Sequence, residues 1–210
     1  AESPYMGDTK TPPLWFEVTA ENQIILHSPK VEMGQGTFTS LAQIAADELE
    51  VDIDRINVVH AATSTGNIDG FGTGGSTSVS SLWMPMRELA ATMREMLKNE
   101  AAKALNTSLA SLQLSNGVIS GGGKEMTYGE VVAGVTEWEI PDVPPLKDLK
   151  DYKYVGQPVP RVDLADKVFG APIFGMDGTM PDMLYGAVVR SSLIGAKYKG
   201  ADTSKAEGMP

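Results

Sequence analysis

Apolar positions change period several times along the chain, and each change marks an element. Residues 15–19 and 23–27 read as two short strands around a polar turn, the second carrying Ile24, Ile25 and Leu26. Leu41, Ile44, Ala45 and Leu49 fall on one face of a helix that begins near Thr39. Residues 56–59 are a third short strand. Val79, Leu82, Trp83, Met86, Leu89, Ala90, Met93 and Leu97 keep a helical stripe and predict the strongest helix, over about 78–105. Pro85 lies near its start, where the first turns kink or the regular helix begins. Residues 112–114 and 118–119 flank Asn116-Gly117, a hairpin signal. Thr127-Tyr128-Gly129-Glu130 has capping-box spacing and opens a short helix to about Val135. Beyond the prolines at 141, 144, 145, 158 and 160, residues 183–189 read as a strand and 202–209 as the start of a helix. This succession predicts an α+β fold, with an extended connector over 141–160 and a domain boundary near residue 160.

Composition narrows the chemistry. The formal charge of −10 argues against a broad nucleic-acid surface, which needs clustered Lys and Arg. The absence of Cys excludes disulfides, iron–sulfur ligation and thiolate catalysis within these 210 residues. No stretch approaches the roughly 20 apolar residues of a membrane span. Ala1 stands where an initiator Met would, which a cleaved export signal or a cloning boundary would each explain.

The 22 glycines cluster, and two clusters share a design in which a Gly-rich loop feeds a helix. The first is Gly34-Gln35-Gly36; the second is Gly72-Thr73-Gly74-Gly75-Ser76-Thr77-Ser78. A helix start leaves about four N–H groups without partners and carries roughly half a positive charge. Glycine lets such amides approach a ligand, and hydroxyls such as Thr77, Ser78 and Ser80 add donors, so either loop suits a phosphate. The competing reading is an ordinary helix cap. Neither loop fits the dinucleotide or Walker A pattern. His27 and His60 read as structural, and Asp47, Glu48, Glu50, Asp52 and Asp54 as a solvated helix end. Glu32, beside the first loop, is the carboxylate to watch, with a surface role expected.

Val31-Glu32-Met33-Gly34-Gln35-Gly36 resembles the "EMGQG" segment of the xanthine oxidase family of molybdenum hydroxylases. The stretch Gly72 to Val79 resembles that family's second cofactor-binding segment. The order of elements is similar to the large subunit of the isoquinoline 1-oxidoreductase branch, as are Tyr154-Val155-Gly156-Gln157-Pro158-Val159-Pro160-Arg161-Val162-Asp163 and Met183-Leu184-Tyr185-Gly186-Ala187-Val188-Val189-Arg190. The resemblance implies part of a molybdenum-cofactor-binding domain over 1–140, a connector over 141–160 and the start of an α/β hammerhead-like domain over 161–210. It also implies a molybdopterin cofactor, in its cytosine dinucleotide form. Gln35, between Gly34 and Gly36, would lie near molybdenum, and Gly75, Ser76, Thr77, Ser78 and Ser80 along the pterin and phosphates. The implied reaction hydroxylates an aldehyde or N-heteroaromatic substrate with oxygen from water.

No residue here matches the family's catalytic Gly-Glu motif, since Gly129-Glu130 belongs to the capping box. The resemblance therefore implies partners: the remainder of a large molybdenum subunit, and a small subunit holding iron–sulfur clusters. A stand-alone cofactor carrier or a non-catalytic relic are the alternatives. A periplasmic location is expected ahead of a cytoplasmic one.

Overall fold

The computed structural model describes residues 11–62 and 72–209. The chain divides into two units, 1–171 and 172–210. In the first, β1 (Phe16–Val18) pairs antiparallel with β2 (Ile24–Ser28), and β2 pairs parallel with β3 (Ile56–His60). Parallel neighbours need a long crossover, and α1 (Thr37–Leu49) supplies it. The apolar stripe read from sequence is the buried one, with Leu41, Ile44, Ala45 and Leu49 all inside. Glu50, in left-handed conformation, stops the helix and returns its N–H to the Ala46 carbonyl.

Helix α2 (Ser78–Leu105) packs along α1 and runs without interruption through Pro85. A second, meandering sheet joins β4 (Gln113–Ser115), β5 (Val118–Gly121) and β6 (Lys124–Thr127). Its last strand has no counterpart in the sequence reading. The Thr127–Glu130 capping box is present and opens α3 (Tyr128–Ala133). Trp15, Leu26, Leu41, Leu49, Leu82, Met86, Leu89, Leu97, Ile119 and Tyr128 form one core. The Tyr128 hydroxyl donates to the Leu49 carbonyl at 2.6 Å, satisfying a polar group inside that core.

The acidic cluster departs from expectation. Asp47 and Glu48 are buried, at 2% and 0% exposure, rather than forming a solvated helix end. Asp47 accepts the backbone N–H groups of Lys153, Tyr154 and Val155. Glu48 accepts from Arg87 (2.9 Å), Arg94 (3.2 Å), the Lys147 N–H (3.1 Å) and the Tyr152 hydroxyl. Arg87 and Arg94 in turn donate to the carbonyls of Lys147 and Pro145. A buried carboxylate is tolerated when paired and fully hydrogen-bonded, and here the pairing fastens the Pro-rich segment as a strap. Gln43 holds it midway, donating to the Tyr154 carbonyl at 2.6 Å. At its far end the Val162 N–H donates to the Thr39 hydroxyl at 3.1 Å. The strap then leads into α4 (Leu164–Phe169).

In the second unit the strand expected over 183–189 is not formed. These residues pair with no other described segment, and Leu184, Tyr185, Val188 and Val189 are exposed. A strand requires a hydrogen-bonding neighbour, and hydrophobic content alone does not supply one. The helix expected from residue 202 is present as the single turn α5 (Ser204–Glu207).

Candidate functional site

The first loop grows from the end of β2. Ser28 closes a small turn, its hydroxyl donating to the Lys30 carbonyl at 2.8 Å. Buried Lys30 reaches across to donate to the Gly72 carbonyl at 2.7 Å, and the Val31 N–H donates to the Thr73 hydroxyl at 2.8 Å. The two glycine loops, some forty residues apart in sequence, are therefore hydrogen-bonded neighbours. His60, at the end of β3, accepts the Glu32 N–H at Nε2 (3.1 Å) and packs on Phe38 with ring centroids 4.8 Å apart. Its role is structural, as expected.

The expectation of free amides fails at this loop. The Glu32 carboxylate turns inward, its side chain only 5% exposed, and accepts the N–H groups of Gly34 (2.7 Å), Gly36 (3.1 Å) and Phe38 (3.1 Å). The chain fills its own anion site. Burial raises the Glu32 pKa, but the bonds from Phe38, Gly36 and Gly34 and the charge of Arg161 outweigh it and leave the carboxyl below its ordinary value. Gly34 and Gly36 hold φ of 102° and 85°, backbone angles that other L-residues adopt at a cost. Gln35 folds onto its own loop, accepting the Met33 N–H at 2.6 Å and donating to the Val31 carbonyl at 2.7 Å.

The second loop is different. Residues 63–71, including Asp69-Gly70-Phe71, lie outside the described residues, and the described part of the loop begins at Gly72. Gly75 and Ser76 are both left-handed, with φ of 63° and 57°. The Thr77 and Ser80 hydroxyls donate to the carbonyls of Gly74 and Thr77, each at 3.2 Å. Thr77 gives the helix no side-chain cap, and among the described residues no acceptor reaches the N–H groups of Gly75, Ser76, Ser78 or Val79. A Cβ added at Gly74 would meet nothing within 4 Å. They lie at the positive end of a 28-residue helix, with Gly75 and Ser76 exposed and Ser78 buried.

Of the sequence-predicted residues, Gly34, Gln35 and Gly36 thus gather on one loop and Gly75, Ser76, Thr77, Ser78 and Ser80 on its neighbour. Reasoning from sequence missed Lys30 and Thr73, which join the loops, and Arg161, which contacts the first from the end of the strap. The signal available for Glu32 was its spacing: a carboxylate two, four and six residues before Gly34, Gly36 and Phe38 can reach all three amides. A cleft of about 400 Å³, lined by Pro13, Phe16, His27, Met93, Met96 and Trp138 among others, includes no residue of either loop.

Comparison with known proteins gives this arrangement its class. The chain belongs to the molybdopterin cofactor-binding domain family, whose model matches residues 3–176. Within that class it is similar to a subunit of the nicotinate dehydrogenase of Pseudomonas putida, at 33% identity over 87% of this chain and 15% of the relative. It is also similar to a membrane-bound aldehyde dehydrogenase (pyrroloquinoline-quinone) of Gluconacetobacter polyoxogenes, at 30% identity over 93% of this chain and 26% of the relative. A third relative is the beta chain of isoquinoline 1-oxidoreductase from Brevundimonas diminuta, at 28% identity over 95% of this chain and 31% of the relative. The chain thus spans less than a third of the length of each of these relatives. No helix among the described residues is long and apolar enough to cross a membrane.

The donor set fits the family's cofactor unequally. The second loop offers backbone N–H groups to an anionic, acceptor-rich group. The first has spent its amides and offers only its outer face and Gln35.

Proposed function

We propose that this chain forms the cofactor-contacting front part of the large subunit of a molybdenum hydroxylase acting on an N-heteroaromatic ring or an aldehyde. The observation that carries the reading is the row of amides at Gly75, Ser76, Ser78 and Val79, without an acceptor among the described residues, beside the loop that bears Gln35. These amides, with the Thr77, Ser78 and Ser80 hydroxyls as further polar groups, would hold the pterin and phosphate end of a molybdopterin, in its cytosine dinucleotide form. Gln35, released from its own loop, would turn its amide toward molybdenum. The bound group supplies the redox chemistry, with water as the oxygen source; the chain's share is binding and orientation by fixed dipoles.

Proton abstraction falls to residues in the remainder of the large subunit, and electrons pass to iron–sulfur clusters in a small partner subunit. The relatives' names, nicotinate dehydrogenase and isoquinoline 1-oxidoreductase, support a small aromatic substrate, and the aldehyde dehydrogenase supports the alternative. A periplasmic location completes the proposal.

The test is the molybdenum and pterin content of the purified assembly containing this chain, by mass spectrometry and by fluorescence of the oxidised pterin. Stoichiometric cofactor that is lost in Gly75→Val is expected. Equal cofactor in wild type and Gly75→Val would overturn the assignment of the second loop.

A further inference from the structure

Arg161 lies 129 residues beyond Glu32 in sequence, yet it is the residue that closes the first loop. One terminal nitrogen donates to the Gly34 carbonyl at 2.8 Å, and the other donates to Glu32 Oε1 at 3.2 Å. The same guanidinium is held from behind by Asp163, at 2.9 Å and 2.8 Å, and Asp163 also pairs with Lys167. The guanidinium therefore has a fixed pose, set by a bidentate carboxylate on its own segment. That segment is itself fastened to α1 by Asp47, Glu48, Gln43 and Thr39.

We propose that Arg161 is a positioning residue for the Gly34–Gly36 loop, acting through Glu32 to fix the backbone from which Gln35 projects. A carboxylate that accepts three amides determines the path of the five residues between them. The cation that neutralises it, and binds the Gly34 carbonyl as well, determines where that carboxylate sits. The groups facing the Glu32 carboxylate are the three amides and Arg161, with His60 on the Glu32 N–H. Removing Arg161 leaves a mostly buried carboxylate with no compensating charge. The connection to the cofactor rests on the function proposed above; the clasp itself does not.

The test is amide hydrogen exchange, resolved by residue, on the wild-type chain, Arg161→Gln and Arg161→Lys. In Arg161→Gln, exchange at Gly34, Gly36 and Phe38 should speed up about three- to tenfold, as expected for a partly exposed ion pair with one added backbone bond. The amides of α2 should be unchanged. Arg161→Lys keeps the charge but not the fork and should recover part of the protection. Unchanged exchange at the three loop amides, or an equal rise throughout α2, overturns the proposal. Molybdenum retained per assembly separates the two ideas. Loosened loop amides with cofactor lost in Gly75→Val but fully kept in Arg161→Gln would leave the second-loop site standing and refute Arg161 as a positioning residue for the cofactor loop.

Discussion

The loop before α1 and the loop before α2 are both glycine-rich and both feed a helix, yet they dispose of their N–H groups in opposite ways. The first directs Gly34, Gly36 and Phe38 onto Glu32, an anion carried by the loop itself. The second leaves Gly75, Ser76, Ser78 and Val79 without an acceptor among the described residues. Glycine before a helix therefore indicates a place where an anion is stabilised, but not whose anion it is. One loop is closed from within, its three amides held by its own carboxylate.

Four perturbations would break or sharpen this contrast. Cutting the strap at its anchor has the largest expected effect: Glu48→Ala leaves Arg87 buried without its carboxylate and Arg94 with Glu95 alone, a loss of about 3–5 kcal/mol. Thermal unfolding should register it as a fall on the order of 10 °C for a chain of this size. Next, Glu32→Ala strands three amides and leaves Arg161 with Asp163 alone as its carboxylate, costing about 2–3 kcal/mol in denaturant titrations; Glu32→Gln, which keeps one acceptor, should cost less.

Acid performs the same experiment reversibly. Glu32 is held below its ordinary 4.5, so its contribution is complete above that value and disappears as pH falls through the lower folded-state pKa. Protection of the first-loop amides, measured against their intrinsic exchange rates, should therefore fall as Glu32 is protonated below its ordinary range, while the second-loop amides, which have no carboxylate acceptor among the described residues, keep theirs.

Third, Gly75→Val forces a branched side chain to φ of 63°, a strain of about 1–2 kcal/mol in the apoprotein. The smallest effect belongs to Gln35→Ala, which removes two exposed loop bonds and should change stability by less than about 1 kcal/mol. Turnover of the assembled enzyme should nonetheless fall. Turnover equal to wild type would count heavily against a place for Gln35 near molybdenum.

Local pattern is legible where it is strong. The stripe predicts helix α2 over about 78–105, and it is found at Ser78–Leu105, because a stripe kept from Val79 to Leu97 leaves little ambiguity. The capping box at Thr127 and the first two strands are equally plain. What sequence does not reveal depends on partners a hundred residues away. Asp47 and Glu48 look like any acidic helix end until Lys147, Tyr152 and Lys153 are brought to them. The missing strand at 183–189 is the converse case: apolar residues with strand propensity and no pairing segment among the described residues. In the candidate site the glycines and Gln35 are visible as a motif. Arg161 belongs to a segment with a family resemblance, but nothing local says that it reaches Gly34.

That long reach also constrains how the chain is made. On a ribosome adding about 5–20 residues per second, Glu32 emerges roughly 6–25 seconds before Arg161 can meet it, given the 129 positions between them. During that interval the Gln35 segment lacks its clasp, and a prosthetic group offered too early would encounter an unfinished surface. If the proposed function holds, insertion would follow synthesis, with the arrival of one arginine as the timing mark.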